Sequence, residues 1–561
     1  MPAGTPAHPV GDLAVNAKPI ETQVLIVGGG PIGLMGSLLL SRLGVKSLVV
    51  DLRGRTSTHP RSRLLDAPSV ELMREVGVEK QVIDTGLGPD WTEYNRWFDC
   101  LAGREICRVP TPSFHSVRTK RSSSMPVMTA QDYVEAILYD QAASDPNVDL
   151  RFDTTANGLT QNDTCVSCTI RDNRTGRATP VSAGFAIGAD GLRSSTRAAI
   201  GTTLEADFMD VFFQDVIFEA DFSKHTSDRQ GGLLFIAHPM GNAVFQPLDG
   251  VLRWRCQIGG FDRTQEMTAE FAENWIRSAL GADDPVPIEV RTMTEWQFQP
   301  GRAGRLGKGR IFLAGDAAHV FIPTGGLGNN AGFVGIRNLA WKIAFVLRGA
   351  SPASLLETYD TEHQPVAEQR VAAGRRNAQL SGGIFRAFHE GGDTQAAARN
   401  CRQYGEYEGL IYGYELTSRL CARDEEPAPA VENPVCDYVP VVRSGRRAPN
   451  LWLDGSWNRS LLDWNGLGYT TVLGAHVDPE PWRAAAGALA ESGFPVRTAR
   501  LPEVEAESPY DNGEIVLMRP DGIVADHWDA ASVDSGDEPA RLTRILPIKG
   551  RGAGSPPPPS S

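Results

Sequence analysis

Three glycines, Gly28, Gly30 and Gly33, follow an apolar run at residues 23–27 (QVLIV), and Asp51 closes the next apolar run, 46–50. The spacing is G-x-G-x-x-G with an acid about 20 residues beyond the last glycine, the pattern of dinucleotide binding. The three glycines have separate tasks: a tight turn, room for a pyrophosphate against bare backbone, and close packing of a helix on a strand. A carboxylate at 51 can accept from adenosine ribose hydroxyls and would repel a 2′-phosphate, so this site favours FAD or NAD over NADP. The elements needed to position these residues are present. An apolar strand leads into the glycines, the helical pattern LMGSLLLSRLG comes next with Gly44 as its stop, and a second strand ends at Asp51. The helix N-terminus offers free amides to phosphate.

Other chemistries are poorly supplied. Cys165 and Cys168 are the one close-spaced cysteine pair, with no second pair or histidine pair to complete a zinc site, and strand alternation puts them on opposite faces, so no metal is expected. Eight cysteines in 561 residues imply a reducing, cytoplasmic setting rather than a disulfide scaffold. The net charge of −13 argues against nucleic acid and anionic membrane as partners. No signal peptide is visible in the first twenty residues, and the uncharged stretch 24–40 is interrupted by the GGGP at 28–31, which argues against a membrane span. Glycine is in surplus, 58 of 561 or about 10% against a typical ~7%.

Two distant segments separate FAD from NAD. Residues 186–197 (AIGADGLRSSTR) read as a short strand turning through Asp190-Gly191 into a helix near Ser194. Residues 309–347 read as a strand ending in Gly315-Asp316, a Pro/Gly-rich loop, and a helix of about 18–20 residues spanning nearly 30 Å. In order, G-x-G-x-x-G, GADGxxSxxR and RIFLAGDAAH…P…GxGxN…NLAWK resemble the single-component (class A) flavoprotein aromatic hydroxylases, whose architecture is that of para-hydroxybenzoate hydroxylase. The chain looks most like the phenol and chlorophenol hydroxylases and the bacterial aromatic polyketide hydroxylases of secondary metabolism. The resemblance covers roughly residues 22–380, and segments 442–455 and 516–528 resemble the thioredoxin-like extension of those proteins.

The resemblance implies an α/β fold: a Rossmann-type FAD-binding domain (21–205 and 297–422) interleaved with a β-sheet substrate domain (206–296, joined by part of 85–128). A Pro-rich linker at 423–447 would lead to a thioredoxin-like domain at 448–550, between an unfolded start (1–20) and tail (551–561). That last domain lacks a CxxC, its one candidate cysteine, Cys436, falling in the linker, so its role should be structural or oligomeric. Residues 129–138 read as a helix capped by Thr129.

By the same resemblance, FAD would be held by Gly28, Gly30, Gly33, Asp51, Arg61, Arg63, Gln131, Asp190, Arg197, Gly315, Asp316, Gly328, Asn329 and Asn330, with Pro323, Gly326 and Gly328 beside the isoalloxazine. Asp316 would accept from a ribityl hydroxyl, Arg61 and Arg63 lie in a mobile gating segment, and His319 could equally serve its own loop. The family commonly carries Asp where this chain has Gly335. Leu339, Trp341 and Ile343 read as core. The activity implied is oxygenation of a phenolic or polyketide-type ring through a flavin C4a-hydroperoxide, consuming O₂ and NADPH (or NADH) that docks transiently, there being no second G-x-G-x-x-G after a strand. The phenol-deprotonating base is not legible: His238, Arg255 and Asp210 merely fall in the expected substrate sheet, His238, Arg255 and Pro323 being the candidates for substrate contact. Baeyer–Villiger insertion on the same scaffold and a non-catalytic binding protein are the alternatives, and the W-x-W-x-I-P motif expected of a flavin halogenase is absent at 252–255. A homo-oligomer is compatible with this reading.

Overall fold

The computed structural model describes residues 18–206, 212–260, 266–283, 285–297 and 299–549. Its centre is a parallel sheet in the order Ile311–Leu313, Ala178–Gly188, Ile20–Val27, Ser47–Val50, Val148–Arg151. Val24, Leu25 and Ile26 are almost wholly buried, as expected of a strand covered on both faces. The first strand begins at Ile20, three residues before the sequence reading and inside the segment expected to be unfolded. Residues 20–22 are recruited by pairing with Val181, Ser182 and Ala183, partners that local sequence cannot reveal. Residues 1–17 and 550–561, where unfolded ends are expected, lie outside the described residues.

Helix Pro31–Arg42 covers one face of the sheet, with Pro31 in its first turn and Gly44 in the left-handed region just past its end (φ 68°). The long helix Leu327–Leu347 packs on it so closely that Gly36 faces Ile336 and Gly332 faces Ile32. The uncharged stretch 24–40 is thus a strand, a turn and a helix. No helix among the described residues is long and apolar enough to cross a membrane. Thr129 is not a cap. Helix Gln131–Ala143 follows Ala130 with no side-chain cap, because the Thr129 hydroxyl is engaged with that of Thr85 (2.7 Å) and its N–H donates to the Arg63 carbonyl.

A seven-stranded sheet runs Glu289–Gln297, Phe212–Glu219, Arg253–Gly259, Ala243–Pro247, Leu234–Ile236, Tyr94–Phe98, Glu105–Pro110. Its last two strands come from the 85–128 region. Alternation divides its faces. Trp254, Cys256 and Ile258 pack with Trp275 and Ile276 of helix Ala269–Leu280, whereas Arg255 turns toward the first domain, where it meets the carbonyl of Arg61.

The C-terminal sheet has the order Val496–Arg500, Tyr469–Leu473, Glu514–Met518, Val524–Asp529, its first pair parallel across helix Pro479–Glu491 and the rest antiparallel, a thioredoxin-like topology. It shares a core with the first domain: Trp341 meets Tyr469 edge-on (5.8 Å), and Phe345 meets Phe494 (5.6 Å). The segment at 423–447 is pinned rather than free. Arg443 pairs with Asp424, and buried Arg447 pairs with Glu71 of the first domain.

Candidate functional site

The carboxyl ends of the parallel strands meet in one cleft, the usual ligand position of an open α/β sheet. They are stitched by the Gly28 N–H to Val50 (2.8 Å), the Ala189 N–H to Val27 (2.7 Å) and the Ala314 N–H to Gly188 (2.9 Å). The three motif glycines divide their tasks here. Gly28 has φ 110°, and a Cβ there would stand 2.2 Å from the Ala189 oxygen; at Gly33 it would stand 1.9 Å from the Gly28 oxygen. At Gly30 only the tip of the Arg53 guanidinium comes within 4 Å. That open backbone at the start of a helix fits a pyrophosphate.

Asp51 is more occupied than its position suggests. Its Oδ2 accepts from the Gly29 N–H (2.7 Å) and Arg53 Nη2 (3.0 Å), and its Oδ1 from the Arg53 N–H (2.8 Å) and Nε (2.9 Å). Asp190 and Arg197, read from sequence as cofactor ligands, are bonded to protein. Asp190 accepts from the hydroxyls of Ser194, Ser195 and Thr196 and the Thr196 N–H, which fixes the start of helix Ser195–Ala199, whose N-cap is Ser194. Arg197 donates to the carbonyls of Leu192 (2.6 Å) and Ala317 (3.1 Å), which braces the Gly315–Ala317 turn.

On that turn Gly315 has φ 60° and Asp316 opens into the cleft. The surrounding protein raises its carboxyl, opposed by Arg61. Arg61 is exposed; Arg63 is buried and points the other way, to the carbonyls of Pro247 (2.6 Å) and Gly232. Of the two, only Arg61 therefore faces Asp316. Gln131 braces the same segment, accepting from the Ser62 N–H (3.0 Å) and donating to Glu135 (2.6 Å).

Helix Leu327–Leu347 begins after Gly326, whose left-handed conformation (φ 67°) lets the backbone pass Leu64. Pro323 is exposed, Gly328 and Asn329 half-buried. Asn330 has no spare capacity: its Oδ1 accepts from the Asp66 N–H and the Ser69 hydroxyl, and its Nδ2 donates to Leu64 and Gly326. Where Gly335 departs from the family pattern, His363 fills the space. A Cβ at 335 would lie 2.6 Å from its Nε2, which in turn meets His319 Nε2 at 3.3 Å. Burial pushes His319 down to about 4 and His363 well below its ordinary value.

Across the cleft, Arg255 grips Asp215 with Nε (2.7 Å) and Nη2 and donates Nη1 to the Arg61 carbonyl (3.0 Å). Burial raises the Asp215 carboxyl, but Arg255 and His59 outweigh it and hold it below its ordinary value. His59 touches the hydroxyls of Thr292 (2.8 Å) and Thr294 (3.2 Å). His238 is elsewhere: it bonds Ser278 (3.0 Å) and packs on Trp275, on the helix-covered side of the sheet. It is not placed to serve a substrate between the sheet and the cleft. Asp210 lies outside the described residues.

Residues 21–373 match the FAD binding domain family, and residues 442–547 match the aromatic-ring hydroxylase C-terminal family. The chain belongs to the FAD-binding aromatic-ring hydroxylases. This hydroxylase is 31% identical to tetracenomycin B2 monooxygenase-dioxygenase of Streptomyces olivaceus, over 94% of this chain and 99% of that one. It is 30% identical to 2,4-dichlorophenol 6-monooxygenase of Delftia acidovorans, over 95% and 99%. Its fold superposes on a ternary complex of aklavinone-11 hydroxylase with FAD and aklavinone at TM-score 0.80 and 30% identity, covering 94% and 99%. The hydroxylase is thus an FAD-dependent monooxygenase, and the non-catalytic reading falls.

Sequence reasoning missed Arg53, Glu135, His59 and Asp215 in this hydroxylase. Arg53 lies two residues past the strand-end acid, and His59 stands in the same THPRSR segment as Arg61 and Arg63. Asp215 had a legible signal, an acid inside an apolar strand, which needs a buried cation opposite.

Proposed function

We propose that this hydroxylase uses NADPH and O₂ to place one oxygen atom on a phenolic or polyketide-type aromatic ring, bound as its phenolate. One observation carries the reading. Arg255, 5% exposed, turns from the substrate sheet toward the first domain with Asp215 as its one paired carboxylate among the described residues, and a second buried guanidinium, Arg63 (7% exposed), lies near enough to repel it. Burial, then repulsion from Arg255, pushes the Arg63 guanidinium down to about 9, still charged at neutral pH. A phenolate oxygen would offset the positive charge left by the two guanidinia, and Arg255 would hold the phenol deprotonated while its ring gains electron density.

Gly28, Gly30 and Gly33 would admit the FAD pyrophosphate, Asp51 its ribose, and Asp316 with Arg61 its ribityl chain. Bound FAD supplies hydride acceptance and O₂ activation. The N-terminus of helix Leu327–Leu347, at Gly328 and Asn329, would favour negative charge at the pyrimidine edge. The sheet and the 57–63 segment would exclude water. All eight cysteines are free, which fits a cytoplasmic setting.

The test is NADPH oxidation by the FAD-loaded protein with a panel of chlorophenols and polycyclic hydroxyquinones, and NMR of the product. A new ring hydroxyl on an intact carbon framework is expected. No stimulation by any phenol, or oxygen inserted into the framework, overturns the reading.

A further inference from the structure

A second polar group lies beneath the glycine loop and takes no part in the site above. Arg370, on helix Glu357–His389, is 1% exposed, and none of its three guanidinium nitrogens has a hydrogen-bond partner in the described structure. Its electrostatic neighbours are Asp66, His319, His363, Tyr407 and Tyr414. The two histidines are neutral, and Tyr407 keeps its proton because burial pushes it well up. Asp66 is the one acid among these neighbours; burial pushes its carboxyl up against the pull of Arg370. Arginine holds its charge inside proteins, so the group carries a positive charge with weak local opposition. The guanidinium carbon stands 6.0 Å from the centre of the Tyr414 ring, but burying a guanidinium that makes no hydrogen bond is costly, which makes its retention a pointer to function.

Its place in the fold gives that charge a target. The Asp66 N–H donates to Asn330 Oδ1 (3.1 Å), and Asn330 Nδ2 closes the first turn of helix Leu327–Leu347 on the Gly326 carbonyl (2.7 Å). One turn beyond Arg370, the Gly374 carbonyl accepts from the Thr324 hydroxyl of the loop (2.6 Å). Arg370 therefore lies under the helix start and the loop that lead into the cofactor cleft. We propose that Arg370 is a positioning residue for the flavin, a buried charge that adds to the helix N-terminus and makes bound FAD easier to reduce. Charge acts over longer range in a low-dielectric interior than in water. The proposal rests on the reading that the pyrimidine edge of FAD meets this helix start.

The experiment measures the two-electron midpoint potential of FAD bound to the full chain and to three variants. Arg370→Met is expected to lower it by at least about 30 mV, a tenfold change in equilibrium constant for two electrons. Arg370→Lys should remain near the unsubstituted protein, and Asp66→Asn should raise the potential. An unchanged potential in Arg370→Met, or equal shifts in Met and Lys, overturns the proposal. If Arg370→Met fails to fold, an unchanged or lowered potential in Asp66→Asn overturns it. Failure of the unsubstituted protein to bind FAD would instead sink the cofactor reading beneath it.

Discussion

Glu362→Gln should loosen the C-terminal domain from helix Leu327–Leu347. The Glu362 side chain is fully buried and accepts five hydrogen bonds: Lys342 Nζ (2.7 Å), Asn338 Nδ2 (2.8 Å), the Ser418 hydroxyl (2.5 Å), and Arg519 Nη1 (2.7 Å) and Nη2 (3.0 Å). Arg519 also grips Asp521 through Nε (3.0 Å) and Nη2 (2.6 Å). Two cations thus face two carboxylates. Burial raises the Glu362 carboxyl, but Arg519 and Lys342 prevail and hold it well below its ordinary range. Glutamine would leave one buried positive charge uncompensated and turn an amide N–H₂ toward donors. Removing one partner of a buried pair costs about 3–5 kcal/mol, a large share of a typical stability of about 5–15 kcal/mol. Denaturant unfolding of the FAD-loaded protein, followed by circular dichroism and flavin fluorescence, reads the loss. The Lys342→Met/Glu362→Gln double variant restores neutrality and should recover at least about 1 kcal/mol relative to the single change. A Glu362→Gln protein within about 1 kcal/mol of the original, or a double variant that loses the sum of the singles, refutes the reasoning.

Gly33→Ala should yield a protein that does not retain FAD on gel filtration, since the new methyl would lie 1.9 Å from the Gly28 oxygen; a yellow, FAD-loaded variant would contradict the cleft assignment. Gly335→Ala should cost about 1–3 kcal/mol by crowding His363, and adding His363→Ala should relieve it, both read as shifts in Tm. Glu362 and Asp215 have folded pKa values below their unfolded ones, so their stabilisation is complete above about pH 5 and is lost as the pH falls below about 4. The Tm of Glu362→Gln should accordingly fall less steeply in acid than that of the original protein, and parallel curves would count against it. Arg255→Met should raise the KM for a phenol at least tenfold, with NADPH oxidation and peroxide leakage persisting; an unchanged KM would remove Arg255 from substrate binding.

The features legible in the sequence are those that depend on neighbours along the chain. The glycine spacing, the acid at the next strand end and the GD turn are local patterns, and the strands and helices around them come from apolar periodicity. Asp190 reads as a cofactor contact from its motif, and in the fold Ser194, Ser195 and Thr196 sit where the same aspartate gathers their hydroxyls, so the motif also fixes its own turn. Arg61 and Arg63 look equivalent in the sequence, yet one faces the cleft and the other braces Pro247 and Gly232, a choice made by burial. The pairing of Arg255 with Asp215 needs strand register, and the fit of His363 into the space at Gly335 needs two helices to meet. The acid inside an apolar strand is the one local trace; which cation it meets, and what fills the space at Gly335, leave none.

The long-range contacts also explain why several expected ligands are bonded to protein. A cofactor cleft built at strand ends is made of loops, and loops hold a shape only if their polar groups are satisfied. Asp190 fixes the turn after one strand, Arg197 ties that turn to the Gly315–Ala317 segment, and Asn330 ties the helix start to Leu64 and Asp66. Arg255 carries the same logic across the cleft. Its guanidinium holds the Arg61 carbonyl while Asp215 holds the guanidinium, so the arginine that faces Asp316 is set in place from the substrate sheet. One side chain thus bonds both the substrate sheet and the segment carrying Arg61.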